Sequence, residues 1–119
     1  LPVCRVAPEF RRAVRACEQA GVDALVTLHL AYSPSLESVA ALTATELPII
    51  VLDTTPDWNF GPSQAPAAIM ANHGIHGVQD MCNLLLRHGK KFQIEAGHAA
   101  GFWSRRRPAR PIGARSGPG

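Results

Sequence analysis

Two apolar stretches decide the fold of this chain. Asp23–Leu30 (Asp-Ala-Leu-Val-Thr-Leu-His-Leu) and Pro48–Asp53 (Pro-Ile-Ile-Val-Leu-Asp) each carry a nearly continuous apolar run. Runs of this kind predict strands of a parallel sheet that is covered on both faces. Pro48 has no backbone N–H, so it is expected at the very start of its strand. A third, short strand is predicted over Phe92–Ala96.

Amphipathic helices are predicted before and between these strands. Pro8–Ala20 places Phe10, Val14 and Cys17 on one face, and Gly21 follows as a helix stop. A second helix is expected to open at Ser33 as its N-cap, with Pro34 in the first turn. Its inner stripe is predicted to be Leu36, Val39, Ala40 and Thr43.

The third helix is predicted over Gly77–Arg87, with Gly89 as its stop. A long connection rich in Pro and Gly, from Thr54 to about His76, precedes it. The alternation of helices and strands predicts an α/β fold with a three-layer, doubly wound parallel sheet of Rossmann or flavodoxin type. Three strands are few for such a sheet, so we expect the fold to be incomplete. The inward residues of this helix are predicted to be Val78, Met81, Cys82 and Leu85.

The positive charge is concentrated at one end. The chain has 119 residues and a formal net charge of +3. Residues 1–98 carry seven basic and nine acidic side chains, whereas residues 99–119 carry five arginines and no acid. We therefore expect an α/β domain over residues 1–98 and a disordered Arg/Gly/Pro-rich tail over residues 99–119. A nucleic-acid-binding arm is the alternative interpretation of this tail.

Composition excludes several classes of protein. No apolar run approaches the roughly 20 residues of a membrane span. The three cysteines form no disulfide framework, which favours reduced thiols in a cytoplasm. Glycine-rich phosphate loops and the Gly-x-Ser-x-Gly nucleophile elbow are absent from the sequence.

Polar residues follow each predicted strand, at the edge where open parallel sheets bind ligands. His29 follows the first strand and Trp58 follows the second, while Gly97 and His98 follow the third. Trp58 has two interpretations, a platform for one face of a sugar or a packing residue. Glu95 also has two interpretations, a general base or a hydrogen-bonded carboxylate at a strand end.

The densest polar cluster is Asn72–Asp80. His73, His76 and Asp80 have a spacing that allows a His-His-Asp metal site, although it lacks the Glu of zinc-protease helices. The alternative is that these are loop and N-cap residues making hydrogen bonds. His76, which lies between two glycines before the predicted helix, suits a polar contact to a ligand or a neighbouring subunit.

Four segments occur together in an order that resembles a known family. The chain resembles the N-terminal region of the L-fucose/L-arabinose isomerase family, over about Pro8 to His98. Its most specific parts are the His-x-x-Tyr-Ser-Pro and His-Gly-x-x-Asp motifs. The segments are Val26–Pro34, Leu47–Ile49, Asn72–Asp80 and Gly97–His98.

This resemblance implies an aldose–ketose isomerase of the cytoplasm that works as a trimer or hexamer and usually depends on manganese. It implies that His76 reaches into a neighbouring subunit's active site to touch the sugar. With His29 and Trp58, His76 completes the predicted substrate contacts. No nucleic-acid partner is expected, because the arginine-rich tail lacks the regular aromatic interleaving of a stacking platform.

The resemblance ends at His98. In the family, the metal ligands and catalytic carboxylates lie in later domains, so we expect no catalytic residue, no metal ligand and no turnover in this chain alone. A shift of reading frame in a GC-rich gene would produce the composition after His98, and translation of the other two frames tests that hypothesis. A stand-alone sugar-binding or regulatory module is the alternative function.

Overall fold

The structure, a computed structural model, describes residues 2–59 and 61–98. The predicted tail over residues 99–119 lies outside this part of the chain. In order, the described elements are α1 (Ala7–Gln19), β1 (Leu25–Leu28), α2 (Leu36–Ala44), β2 (Ile49–Thr55), α3 (Ala68–Ala71), α4 (Gly74–Arg87) and β3 (Phe92–His98).

The described strands form a parallel sheet in the order β1-β2-β3. Leu25 pairs with Ile49, and Ile49 pairs with Phe92, so the three strands begin level with one another. Pro48 lies just before β2, where its carbonyl accepts a hydrogen bond of 2.8 Å from the Leu25 N–H. The predicted parallel α/β fold is therefore confirmed.

The hydrophobic core lies on one face of this sheet. Leu25, Ile49 and Val51 point to that face, where they pack with helical side chains from α1, α2 and α4. On the opposite face, Val26 is 59% exposed and Leu28 is 51% exposed. Within the described residues β1 is thus covered on one face, not on both as its apolar run predicted, and the helix layer and the sheet are the two layers present.

The helix faces match the sequence pattern in two cases. In α1, Val14 is buried, with Phe10 and Cys17 packed against the core. In α4, the predicted inward residues are all buried, and Gly21 and Gly89 end the two helices at a φ of 67°. A positive φ is unstrained only in glycine, which has no Cβ. The four predicted inward residues of α4 are Val78, Met81, Cys82 and Leu85.

The second helix departs from its prediction. Its N-cap is Ser35 rather than Ser33, and its buried residues are Ser38, Ala41 and Leu42. Leu36, expected to point inward, is 74% exposed. Since apolar residues occur all round this helix, its periodicity does not select a face, and the contacts with α1 and α4 select it instead.

Candidate functional site

The carboxyl ends of the three strands gather the predicted polar residues. Leu28, the last residue of β1, pairs with Leu52, and Thr55 at the end of β2 pairs with His98 at the end of β3. Residues that follow these strand ends therefore share one edge of the sheet, which we call the carboxyl edge. This edge is where open parallel sheets bind their ligands.

His29 lies directly after β1 and beneath the first turns of α4. A Cβ added to Gly77 would lie 2.7 Å from Cδ2 of His29. A Cβ added to Gly74 would lie 2.6 Å from the His29 carbonyl oxygen. The imidazole Nδ1 is buried and has no hydrogen-bond partner among the described residues. His29 is therefore a packed, half-buried side chain at the base of the edge.

Burial and one carboxylate control the charge of His29. Burial lowers its pKa, while the negative charge of Asp53, on the neighbouring strand β2, acts in the opposite direction. Burial also raises the pKa of Asp53, and His29 partly offsets that effect. The pKa of the Cys82 thiol is raised by burial and, to a smaller extent, by Asp53. The neutral imidazole is thus the form of His29 favoured at neutral pH.

His76 is exposed on the first turn of α4. This helix begins at Gly74, three residues before its predicted start, so His76 lies within the helix and not ahead of it. The ring centroids of His73 and His76 are 4.4 Å apart in an edge-on arrangement. Tyr32 lies beyond them, with its ring centroid 5.9 Å from that of His73. These three rings form the His73 cluster.

Trp58 stacks on a partner that the sequence did not assign. Its ring and that of His98 lie 3.8 Å apart and within 10° of parallel. The Nε2 atom of His98 is 2.8 Å from the Pro56 carbonyl oxygen, which fixes the imidazole. Trp58 is 74% exposed, so it is not a core packing residue, and the face turned away from His98 is open. The pairing of Thr55 with His98 brings the end of β3 beside the residues that follow β2, and so places the two rings together.

Asn72 and Asp57 connect the two aromatic groups. The side-chain amide of Asn72 donates hydrogen bonds of 2.7 Å to the Asp57 carboxylate and 3.0 Å to the Ala68 carbonyl. Asn72 Oδ1 is buried, with no partner among the described side chains. Because Asn72 immediately precedes the His73 cluster and Asp57 precedes Trp58, this bond ties the long connection together. Sequence analysis did not single out this pair.

The described residues do not fit manganese or another metal. Within residues 2–59 and 61–98, no group of three or more His, Cys, Asp or Glu side chains is arranged to hold an ion. His73, His76 and Asp80 accordingly do not form the alternative metal site. Glu95 is exposed on β3 and accepts a hydrogen bond from Gln93.

One cleft lies away from this chemistry. It has a volume of about 510 Å³ and is lined by Glu46, Lys90 and Lys91 beside the first residues of β2 and β3. The Lys90 ammonium group donates a hydrogen bond to the Thr45 carbonyl there. Because the predicted site residues lie at the other end of the strands, the carboxyl edge remains the candidate site.

No family model matches the chain, and no curated protein matches it. None of the helices over the described ranges is long and apolar enough to cross a membrane.

Proposed function

We propose that this domain is the N-terminal α/β region of an aldose–ketose isomerase of the L-fucose/L-arabinose type. Its role is to supply sugar contacts to an active site completed by other domains and subunits. In this proposal the protein is cytoplasmic and assembles as a homo-oligomer, and the manganese ligands and acid–base residues come from elsewhere. The domain itself provides neither.

The observation that carries this proposal is the pair of exposed rings at the carboxyl edge. His76 offers ring nitrogens that donate to or accept from sugar hydroxyls. Trp58, 74% exposed, offers an apolar face to the C–H groups of a sugar ring. The donor set at this edge suits binding and does not suit metal-assisted chemistry.

Reconstitution tests the proposal. The full 119-residue chain is mixed with a family isomerase that lacks its own N-terminal α/β region, and ketose formation from L-fucose and L-arabinose is measured with Mn²⁺. We expect no turnover from either part alone and turnover from the mixture. Since His76 would make a hydrogen bond worth about 1 kcal/mol, H76A should reduce kcat/KM of the mixture about fivefold to tenfold, mainly through KM.

His88 provides the matched control for this experiment. It is an exposed histidine at the C-cap of the same helix, at the end remote from the carboxyl edge. H88A should reconstitute as well as the unmodified chain. Turnover by the chain alone, or equal kinetics for the H76A and H88A mixtures, would contradict the proposal.

A stand-alone sugar-binding module is the second candidate. It is favoured by the open face of Trp58 together with the lack of a metal-binding group in the described part of the chain. The discriminating result is sugar binding by the isolated chain without reconstitution. Tryptophan fluorescence reports it, since W58F should abolish the response to sugar while W103F should retain it.

A further inference from the structure

The first turns of α4 rest on His29 through two different contacts. At Gly74, the neighbour that a Cβ would meet is the His29 backbone carbonyl, at 2.6 Å. At Gly77, it is the edge of the imidazole ring, at 2.7 Å from Cδ2. Real Cβ atoms do not approach other heavy atoms this closely, so both positions require glycine as long as His29 keeps its place.

The same part of α4 also contacts α2. The buried hydroxyl of Ser35 lies 3.5 Å from the Gly77 carbonyl oxygen, at the long end of the hydrogen-bond range. Gly74 and Gly77 are themselves buried. The start of α4 thus contacts both His29, the residue that follows β1, and Ser35 at the start of α2. The ring of His29 fills the space beneath Gly77.

These packing contacts determine the positions of the histidines at the start of α4. His73 is the N-cap of the helix, and His76 directly precedes Gly77. A helix holds its side chains in fixed directions relative to its backbone. A displacement of the Gly77 backbone therefore displaces His76 and its ring contact with His73.

We infer that His29 is a positioning residue. Its ring sets the distance between the first turns of α4 and the end of β1, and thereby the position of His76 at the carboxyl edge. This role is separate from the substrate contact predicted for His29 from its place in the sequence, which stays a prediction. The inference rests on the proposed function only in giving His76 a sugar to bind. The role of His29 in seating the helix stands on packing alone.

The two glycines provide an internal control for this inference. The methyl group that G77A adds meets the His29 side chain, whereas the methyl group that G74A adds meets the His29 backbone. Removing the ring in H29A relieves the first clash and leaves the second. Because alanine is the better helix former where space allows, G77A should be damaging in the unmodified chain and neutral or stabilising in an H29A background. G74A should be damaging in both.

The experiment measures urea unfolding midpoints for the full-length chain and its variants. We expect G77A to lower the midpoint, H29A/G77A to match or exceed H29A, and H29A/G74A to fall below H29A. G61A serves as a control, since a Cβ there meets nothing within 4 Å. A G77A loss that is the same with and without the His29 ring would overturn the inference.

A spectroscopic readout separates positioning from general stabilisation. The chain has five histidines, whose Cε1–H signals can be assigned by single substitutions. H29A should shift the signals of His73 and His76 and leave that of His88 unchanged, while H29F, which retains a planar ring, should keep all three near their original positions. Unshifted His73 and His76 signals in a folded H29A chain would also overturn the inference.

Neither measurement uses a sugar or the remaining domains of an isomerase. Failure of reconstitution would therefore leave the role of His29 standing, and failure of the glycine experiment would leave the proposed function standing. If H29A does not fold, the G77A and G74A variants in an H29F background still decide the result. In that background the ring is retained, so both glycine substitutions should lower the midpoint, and a tolerated G77A would refute the steric role.

Discussion

His29 shows how a single side chain couples packing to charge. The imidazole lies beneath the first turns of α4, next to the part of the chain that carries His73 and His76. The negative charge of Asp53, on β2, also acts on it. Cys82 also faces Asp53 from the middle of α4. Burial disfavours the imidazolium more than Asp53 favours it, so the folded domain holds His29 in its neutral form.

This gives a pH dependence with a defined sign. Unfolding returns the pKa of His29 from its lowered value to about 6.5. The unfolded chain therefore binds this proton first, and the stability that depends on neutral His29 is lost as pH falls from 6.5 toward the folded pKa. We expect the free energy of unfolding in urea to decline from about pH 7.5 to about pH 5.5.

The variant H29F isolates this contribution, because phenylalanine has no titrating nitrogen. Its free energy of unfolding should decline less over the same pH range than that of the unmodified chain. Asp53 acts with the opposite sign in a more acidic window: its folded pKa is raised above 3.8, so protonation between those values favours the folded state. Equal slopes for H29F and the unmodified chain would refute the assignment.

At the scale of elements, α1 is tied to α2 at both ends by long-range hydrogen bonds. The Ala7 N–H, at the start of α1, donates to the Glu37 carboxylate over 2.7 Å. Near the end of α1, Glu18 accepts a bond of 2.6 Å from the hydroxyl of Thr45, the C-cap of α2. These bonds and the contacts between the two helices hold α1 against α2.

The hydrogen bond from Thr45 to Glu18 leads to a prediction about the free energy of unfolding. Thr45 is only 2% exposed, and its hydroxyl also accepts the Leu47 N–H at 3.3 Å. T45V keeps the shape of the side chain and removes both bonds, so the free energy of unfolding should fall by about 1–3 kcal/mol. Chemical denaturation measures this loss.

Thr43 is the control within the same helix. Its hydroxyl donates to the Val39 carbonyl, which also takes part in the helix backbone. T43V therefore leaves no buried group without a partner and should change stability by less than about 0.5 kcal/mol. A T45V effect as small as that of T43V would show that the bond between the helices contributes nothing.

At the scale of the molecule, stability depends on one cluster of buried side chains between the helices and one face of the sheet. Val51 and Leu85 are fully buried at its centre. L85A should cost about 2–5 kcal/mol because it removes buried methyl groups and leaves a cavity. L86A, at the next position, should cost less than about 0.5 kcal/mol because Leu86 is 67% exposed. Thermal and urea unfolding compare the two, and similar losses would contradict this placement of the core.

Some features of the domain follow from local sequence. The stripe of Val78, Met81, Cys82 and Leu85 has helical spacing, and it is buried as predicted. Most of the Pro48–Asp53 run likewise lies in the central strand, β2 (Ile49–Thr55), and Pro48 directly precedes it. In each segment the spacing of the apolar residues matches only one kind of element, a helix in the first and a strand in the second. The local sequence is therefore enough to predict the element.

Other features depended on contacts between distant residues. The buried face of α2 depends on the helices that pack against it, because α2 carries apolar side chains on all of its faces. The start of α4 at Gly74 depends on His29, far earlier in the chain, since only glycine allows the helix to approach that residue. The short helix α3 lies within the Pro- and Gly-rich connection, where no apolar periodicity predicts a helix.

The candidate site divides in the same way. The sequence alone determined a parallel α/β sheet and the placement of His29 and Trp58 after its strands, because strand direction brings their carboxyl ends to one edge. It placed His76 near the start of the helix that precedes β3. Only the tertiary structure decided that Trp58 stacks on His98, that His76 contacts His73 and that His29 lies beneath α4. These pairings join residues far apart in the chain or on one helical turn, and their geometry depends on register and helix seating, which no local pattern encodes.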